Sequence, residues 1–558
     1  MKLKISSCES TALKKDILRF APAWGLFSAG AAIVFYVALA LVDGTRDSAE
    51  FLIYLPKVMA VIAMCYGFLN AQLLFGYLFD SRMCNSMHSF PLRRENWFLV
   101  HTGAGLLFFL VPTGVFYLLM LPLCGGYYYI ALLSMAECVL YYLFFFGLAV
   151  FSVMLTGNRF AALVVYGILN FLSMMVWWVV DTLYAPLLYG VVLQEDIFIL
   201  FCPIVQIMQD TSMDANQLSA RFVLNGGVWL YAGILAVLGV AFAALSLLLY
   251  RRRKLECAGD FVAESWLQPV FLAIYSLFAG MLLAAFLSLF TGSESSVGWM
   301  LVGLFIGVLT GRMLLMRTVK IFNKSTFLSY GVLGLALLCS VVLFQLDPFG
   351  IAKWVPDPQQ VGSVTISLSG DSGTYTRQEN IQDVVDLHSY ILTGFEEDER
   401  EGRSVSFTYT MKNGSTVRRE YYIPTARLEN ANDPVWPLLK EATFTPEFIL
   451  DCPDIEKLSS YISDIYVRDN KDTFTDIQVY DRQARELLQA ILLDIQQGTL
   501  PPYYSWWYGS YGQQNMETRF NLSVYVKNAQ NYHWEIPETA VNTYNYLLQR
   551  HLDKLAQK

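Results

Sequence analysis

Few residues of this chain have types and spacing suited to covalent chemistry. Its five histidines, His88, His101, His388, His533 and His551, are scattered, without the paired spacing that brings two imidazoles onto one metal ion. No metal site is expected, and the lone His101 reads as a hydrogen-bonded packing residue. The chain has no Gly-Lys pair, so it lacks the glycine-rich loop and lysine that cradle nucleotide phosphates. It is not expected to be its own P-loop ATPase, nor to bind a cofactor. One carboxylate stands out. Glu137 lies well inside an apolar run, where an ionised group is costly and ordinarily faces a cavity or a partner. It is the candidate polar residue of a transport path. The alternative is a protonated or hydrogen-bonded glutamate that holds helices together.

Composition dictates the elements that must position such residues. Hydrophobic residues make up 55 % of the chain and charged ones 15 %, against about 25 % charged in soluble domains. A single water-soluble core is excluded. Crossing hydrocarbon takes about 20 apolar residues in a helix, because backbone groups in lipid must be paired internally. Nine stretches qualify, roughly 21–43, 54–79, 97–122, 127–155, 161–181, 228–250, 268–290, 297–315 and 326–346. The first is longer than the apolar region of a secretory signal and reads as retained. The segment before it, with Lys14, Lys15 and Arg19 beside Leu13, Ile17 and Leu18, fits either a surface helix or a plain positive flank.

Lysine and arginine orient the spans, since basic loops stay on the cytoplasmic side. The N-terminus, Arg82 with Arg93 and Arg94, Arg159, the run Arg251 to Lys254, and Arg312 to Lys324 alternate with acidic or neutral loops. The expected protein is a multi-pass membrane protein, its N-terminus cytoplasmic and its tail outside. A net charge of −8 excludes a nucleic-acid partner, which would demand a basic face. Of nine cysteines only Cys452 falls in the tail, so no disulfide framework is expected there. A bridge between Cys124 and Cys202 stays open beside the default of buried thiols.

The loop after the second span is the most informative segment. It runs from Asp80 through Met87, His88, Ser89, Phe90, Pro91, Leu92, Arg93, Arg94 and Glu95 to Asn96. One or two helical turns there would present Met87 and Phe90 among cations, a surface suited to a groove on a soluble partner.

In this loop the chain resembles the permease subunits of type-2 ATP-binding cassette (ABC) exporters, in particular Firmicutes members with an extracytoplasmic C-terminal domain. The likeness rests on His88, Ser89, Pro91, Arg94 and Glu95, and on Leu155-Thr156-Gly157-Asn158 after the fourth span. It continues in Arg251 to Lys254 with Glu256 and Ala258-Gly259, in Gln268-Pro269, and in Asp347-Pro348-Phe349-Gly350 leading to Val355-Pro356. Phe90 replaces a leucine of the family string and Met87 a common aromatic residue. The resemblance implies that Met87 to Glu95 form a coupling helix resting on a separate ATPase subunit, which would use ATP and magnesium. It implies two permeases, identical or paralogous, per complex, with membrane lipid around them. It also implies a six-span exporter core over 1–250, an accessory three-span region over 251–346, and external re-entrant helices near Ile197 to Met208. The last have an amphipathic surface segment as their alternative.

Beyond about residue 347 the pattern changes. Alternation in Val361 to Leu368, Ser404 to Thr410 and Thr416 to Ile423 predicts strands, Asn413-Gly414 a hairpin turn, and Ile381 to Leu392 and 481–497 helices. The 347–558 region is expected to be an extracytoplasmic α+β domain. Tyr422-Ile423-Pro424-Thr425 beside Glu535-Ile536-Pro537-Glu538 suggests two β-α-β-β-α repeats. The cluster Tyr503, Tyr504, Trp506, Trp507 and Tyr508 is a candidate external binding surface, or else a loop resting on its own domain or the membrane. The resulting fold class is an α-helical polytopic membrane protein with a C-terminal α+β domain. Two other functions remain beside export: a membrane-embedded glycosyltransferase, for which Asp43 and Asp47 are the available acids, and a non-transporting sensor.

Overall fold

The computed structural model describes the chain apart from residues 1–6, 42–44, 91, 212, 217–220, 254–257, 263–264, 292–295, 369–370, 395–401, 430–432, 444, 446–461, 470–476, 498, 500–517, 527–531, 538–539 and 557–558. It divides into two units. The first joins Met1–Thr182 to Glu195–Cys339, and the second joins Leu183–Gln194 to Ser340–Lys558.

The first unit is predominantly helical: α1 (Ser7–Arg19), α2 (Ala21–Leu41), α3 (Thr45–Leu74), α4 (Ser81–His88), α5 (Arg94–Met120), α6 (Tyr128–Leu155) and α7 (Arg159–Val179) come first. After a break follow α8 (Asp196–Leu200), α9 (Pro203–Gln209), α10 (Gly226–Arg252), α11 (Gln268–Thr291), α12 (Ser296–Met316) and α13 (Lys324–Gln345), whose last residues belong to the second unit. Among the described residues eight helices are long and apolar enough to cross a membrane, or nine when the bent pair α1–α2 counts as one. The nine expected spans correspond to α2, α3, α5, α6, α7 and α10 to α13. α1 meets α2 at 61°. Pro22 sits in the first turn of α2, where its missing N–H costs nothing, and Trp24 Nε1 donates to Ile17 O at 3.0 Å across the corner.

α6 is the most enclosed span and packs against α3, α5, α7 and α10. Lipid offers no hydrophobic drive between helices, so close backbone approach and polar contacts take over. A side chain on Gly147 would overlap the carbonyl of Gly239 in α10. Tyr142 stacks on Phe109 with ring centroids 4.0 Å apart. Its hydroxyl donates to Gly105 O (2.8 Å) and accepts from Asn70 Nδ2 (2.9 Å). Gln72 likewise bridges to Arg159 O, whereas the Asn170 amide turns back to Tyr166 O of its own helix. Farther along, Gly303, Gly307 and Gly311 recur every fourth residue of α12 and lie against Gly280, Ser276 and Leu272 of α11. Cys124 and Cys202 are buried free thiols, bonded to Met120 O and Asn170 O, so they form no bridge.

In the second unit two sheets carry the core. A short strand β1 (Val191–Val192) joins β4 (Val361–Leu368), β5 (Asp371–Tyr375), β6 (Gly402–Met411) and β7 (Thr416–Pro424) in the antiparallel order β1-β7-β6-β4-β5; a hairpin β2 (Met213–Asn216) and β3 (Arg221–Leu224) belongs to the first unit. Helices α14 (Gln378–Gly394), α15 (Thr425–Glu429) and α16 (Val435–Thr443) accompany this sheet. The second sheet has β8 (Ile462–Asp469), β9 (Ile477–Tyr480), β10 (Thr518–Val526) and β11 (Tyr532–Pro537) in the order β11-β10-β8-β9, with helices α17 (Asp481–Gln496) and α18 (Val541–Ala556). Without β1, the two strand orders are equivalent. Each sheet is built β-β-α-β-β-α, one more leading strand than the repeat expected from sequence, because β5 is short and polar and β9 has only four residues in which to alternate. The hairpin at Asn413-Gly414 is present, with Gly414 at φ +86°.

The buried face of the first sheet is closed around His388 of α14. Its Nδ1 lies 2.9 Å from the Tyr409 hydroxyl, its Nε2 2.8 Å from that of Tyr421, and its ring stacks on Phe407. Burial, reinforced by the nearby Arg419 charge, lowers the His388 pKa from 6.5 to about 3. The folded imidazole therefore stays neutral while the unfolded one takes up a proton below about pH 6.5. Its stabilising contribution is complete above that pH and is lost as the pH falls toward 3, at about 1.4 kcal/mol per unit. The protection factors of the β6 and β7 amides in the full-length protein, taken against the intrinsic exchange rate that itself slows with acid, are expected to fall from pH 6.5 to 4.5. His388→Phe should flatten this dependence while exchanging faster at pH 7, since it leaves two buried tyrosine hydroxyls without their partner.

Candidate functional site

The segment singled out from sequence folds as a short capped helix. Asp80, extended at φ −120°, accepts from the amides of Arg82 (2.8 Å) and Met83 (3.3 Å) through its carboxylate. This cap starts α4 at Ser81 and sets its rotation. Ser89 closes the other end, its amide bonding to Asn85 O and Ser86 O and its hydroxyl to Ser86 O. Cys84 and Met87, three residues apart, consequently turn inward: Cys84 is buried and Met87 packs partly buried on the core. Met83 (46 % exposed) and Phe90 (53 % exposed) point to the outside. The expectation of an exposed Met87 is thereby corrected; Met83 takes its place. Burial raises the Cys84 thiol pKa against the pull of Arg253 and Arg94, so the thiol is not activated.

Ser89 and Arg93 are also exposed, and Leu92, Arg94 and Glu95 are half-buried. Pro91 lies outside the described residues, as does the side chain of His88. Phe90 leans edge-on to Trp97, which stacks on His101 at 5.3 Å. His101 Nδ1 lies 2.7 Å from Asp16 Oδ2, both side chains buried, and Asn96 bonds to Glu9. These contacts dock α1 onto the start of α5.

A second set of contacts ties the loop to the last residues of α10. Arg253 is 8 % exposed, and its Nη1 donates to Val153 O (3.1 Å) and Met154 O (3.0 Å) at the C-terminus of α6. Its Nη2 reaches Leu78 O at 3.5 Å, ahead of α4. A guanidinium there meets carbonyls with no helical donor and the negative end of the helix dipole. Arg94 Nη1 donates to Arg253 O (3.2 Å), and the Tyr77 and Tyr250 hydroxyls lie 2.7 Å apart. The ion pair Glu95–Arg251 at 2.9 Å is half exposed and adds little.

Two of the other strings noted in the sequence, Leu155 to Asn158 and Ala258-Gly259, meet at the same end. Gly157 N donates to Asp260 O (2.9 Å), Gly259 N to Gly157 O (2.6 Å), and Arg317 pairs with Asp260 at 2.8 Å. Gly259 has φ +94° and faces the Arg317 guanidinium, a position only glycine occupies without strain. The turn after α6 thus binds the segments before α11 and after α12. Sequence reading assigned Arg253 to a basic flank only; the inward direction of its side chain has no linear signal.

Glu137 is elsewhere, 4 % exposed in α6, its Oε1 accepting from the Tyr141 hydroxyl at 2.7 Å. Two apolar grooves open on this unit. One of about 560 Å³ lies among α2, α3 and α5, and one of about 550 Å³ between α7 and α11; Glu137 lines neither. The short helices α8 and α9 fold back on the spans, with Ser173 Oγ donating to Phe198 O, Tyr231 to Leu200 O and Lys57 Nζ to Met208 O. Tyr503, Tyr504, Trp506, Trp507 and Tyr508 lie outside the described residues, as does Asp43.

Comparison of the chain with protein-family models, with curated proteins and with solved structures finds no match.

Replacing Arg253 by Leu removes the donor of three carbonyls in a place where water is scarce. The expected cost is on the order of 2–4 kcal/mol, read as a lower unfolding midpoint of the purified protein in detergent and faster exchange across residues 77–90. Arg93→Ala, on the exposed side, should leave both unchanged.

Proposed function

We propose that this chain is the membrane-spanning permease subunit of an ABC exporter. A separate ATPase subunit would hydrolyse ATP with magnesium, and two such permeases, identical or paralogous, would pair around the transport path. The observation that carries this reading is the capped helix α4. Its exposed Met83 and, two residues beyond its end, Phe90 sit among arginines, and its base is joined through Arg253, Arg94 and Tyr77 to the ends of α6 and α10. An apolar pair on a short helix and its exit suits a groove on a soluble partner, and a rigid base is what converts motion of that partner into motion of the spans. The resemblance in the loop strings adds to this, as does the absence of any Gly-Lys pair from the sequence.

On this reading the loop end of the first unit faces the cytoplasm, where the basic loops fall, and the second unit lies outside a bacterial plasma membrane. Phe90, Leu92 and Arg93 with Met83 form the docking face, and Arg94 and Glu95 position it. Glu137, hydrogen-bonded within the bundle, acts first as a packing group and reaches the path only if α6 rearranges during the cycle.

The test is affinity purification of the tagged protein from mild detergent, native and as Met83→Glu with Phe90→Asp. Both side chains are exposed, so the variant should fold normally. An ATPase subunit is expected to co-purify with the native protein and to bind the variant at least about 30-fold more weakly, two hot-spot residues having been lost. Retention of the ATPase by the variant would remove the assignment of α4, and its absence from the native preparation would remove the exporter reading.

A further inference from the structure

The edge strand of the first sheet does not come from the tail. β1 belongs to the connection between the fifth and sixth expected spans, so the chain leaves α7 through a π turn at Val180–Tyr184, enters the second unit for Leu183–Gln194, and returns to α8. Within the second unit this connection is attached along its length. Tyr184 bonds to Ser340 (2.6 Å) and its ring lies 4.5 Å from that of Phe344. Tyr189 packs on Tyr421, the amide of Glu420 donates to Gly190 O at 3.0 Å, Val191 and Val192 pair with Arg419 and Arg418, and Thr416 Oγ1 donates to Gln194 Oε1.

Three features make this attachment specific yet weak enough to part. Gly190 has φ +73°, and a side chain there would overlap the Tyr421 ring, so only glycine lets the strand approach. The paired stretch is only two residues long. Arg419, opposite Val191, is 3 % exposed and donates through Nη2 to Ile351 O, while its buried Nε and Nη1 donors meet no hydrogen-bond acceptor among the described residues. Buried unpaired donors carry a desolvation cost that hydration would recover, which offsets part of the loss when the edge opens.

We infer that residues 188–194 form a strap through which the second unit and the membrane helices sense one another's state. At its C-terminal end the strap continues directly into α8 of the first unit, and at its N-terminal end it reaches α7 through Leu183–Leu187, so a displacement of α8, or one of α7 that Tyr184 passes on, loads the β1–β7 pairing. Conversely, a ligand or partner that reshapes the β6–β7 hairpin loads α7. In the exporter this makes the external domain a regulator of the transport cycle, a consequence that rests on the function proposed above.

The experiment uses the full-length chain, alone and assembled with its ATPase subunit. Val192→Cys with Arg418→Cys places two thiols at partnered positions whose spacing suits a disulfide. Oxidation, verified by mass spectrometry, locks the strap. In the chain alone, hydrogen exchange across residues 176–184 is expected to slow on oxidation and recover with reductant. Gly190→Val, which lifts the strap, is expected to speed the same exchange together with that of the Glu420 amide. In the complex, oxidation is expected to change the ATPase rate by at least about fivefold, the low end of ordinary coupling. Exchange at 176–184 that is indifferent to both variants would overturn the strap, whether or not an ATPase binds. Altered exchange with an unchanged ATPase rate in an intact complex would overturn its regulatory role. Failure of the complex to assemble bears on the exporter reading, and the exchange measurement still decides the strap.

Discussion

A carbonyl at the end of a membrane-spanning helix has lost its helical donor and has little water to replace it, so whatever donates to it determines what can sit beside it. At the end of α6 that donor is Arg253, the residue that ends α10. One guanidinium thereby joins the two helices whose backbones touch at Gly147 and Gly239, and it reaches Leu78, in the turn ahead of α4, as well. The position of α4 depends on this contact more than on its own eight residues, which are too few to be stable alone. The Gly157–Gly259–Asp260–Arg317 contacts extend the same arrangement to α11 and α12. The segments that flank α11 and α12 are therefore bound to the turn after α6 at the end where the loop is held.

Much of the first unit was legible because lipid makes a strong demand on sequence. A helix must be long and apolar throughout, and among the described residues the nine expected stretches fall on eight helices that meet this demand and on α2, which meets it together with α1. Most ends agree within a few residues, whereas α3 starts at Thr45, well ahead of the expected 54. The bend at residue 20 was signalled by Pro22 but not its angle. What stayed hidden were directions around helix axes. Met83, Cys84 and Met87 are distinguished only by the rotation that the Asp80 cap imposes, and in sequence any of them could have been the exposed one. The same holds for Arg253, indistinguishable from Arg251 and Arg252 until its side chain is seen to point inward. Small residues were passed over for a related reason. Gly303, Gly307 and Gly311 look like gaps in hydrophobicity, yet they are where α12 approaches α11 most closely.

In the second unit strands with clear alternation were readable and the short polar ones were not. The repeat signature at Ile423-Pro424 and Ile536-Pro537 marks equivalent strand ends, at β7 and β11. The asymmetry between the two sheets is the addition of β1 to one of them. Two residues, Val191-Val192, carry no recognisable strand pattern, and pairing over so great a sequence distance leaves no local trace. The polar cluster around His388 was equally silent, since a single histidine in an amphipathic helix has no neighbour in sequence that reveals Tyr409 and Tyr421.

The place of β1 in the chain also imposes an order on assembly. Val191 leaves the ribosome well before Arg419, with α10, α11, α12 and α13 synthesised in between. The first sheet therefore cannot be completed while the chain is young. Its edge strand must wait unpaired as four more helices enter the bilayer, and only then does β7 arrive to receive it, a late, long-range closure of the kind that slows folding. The long helices of the first unit are thus all synthesised before the first sheet can be closed, which makes that closure a late step in the maturation of the chain, with the second sheet still to be made.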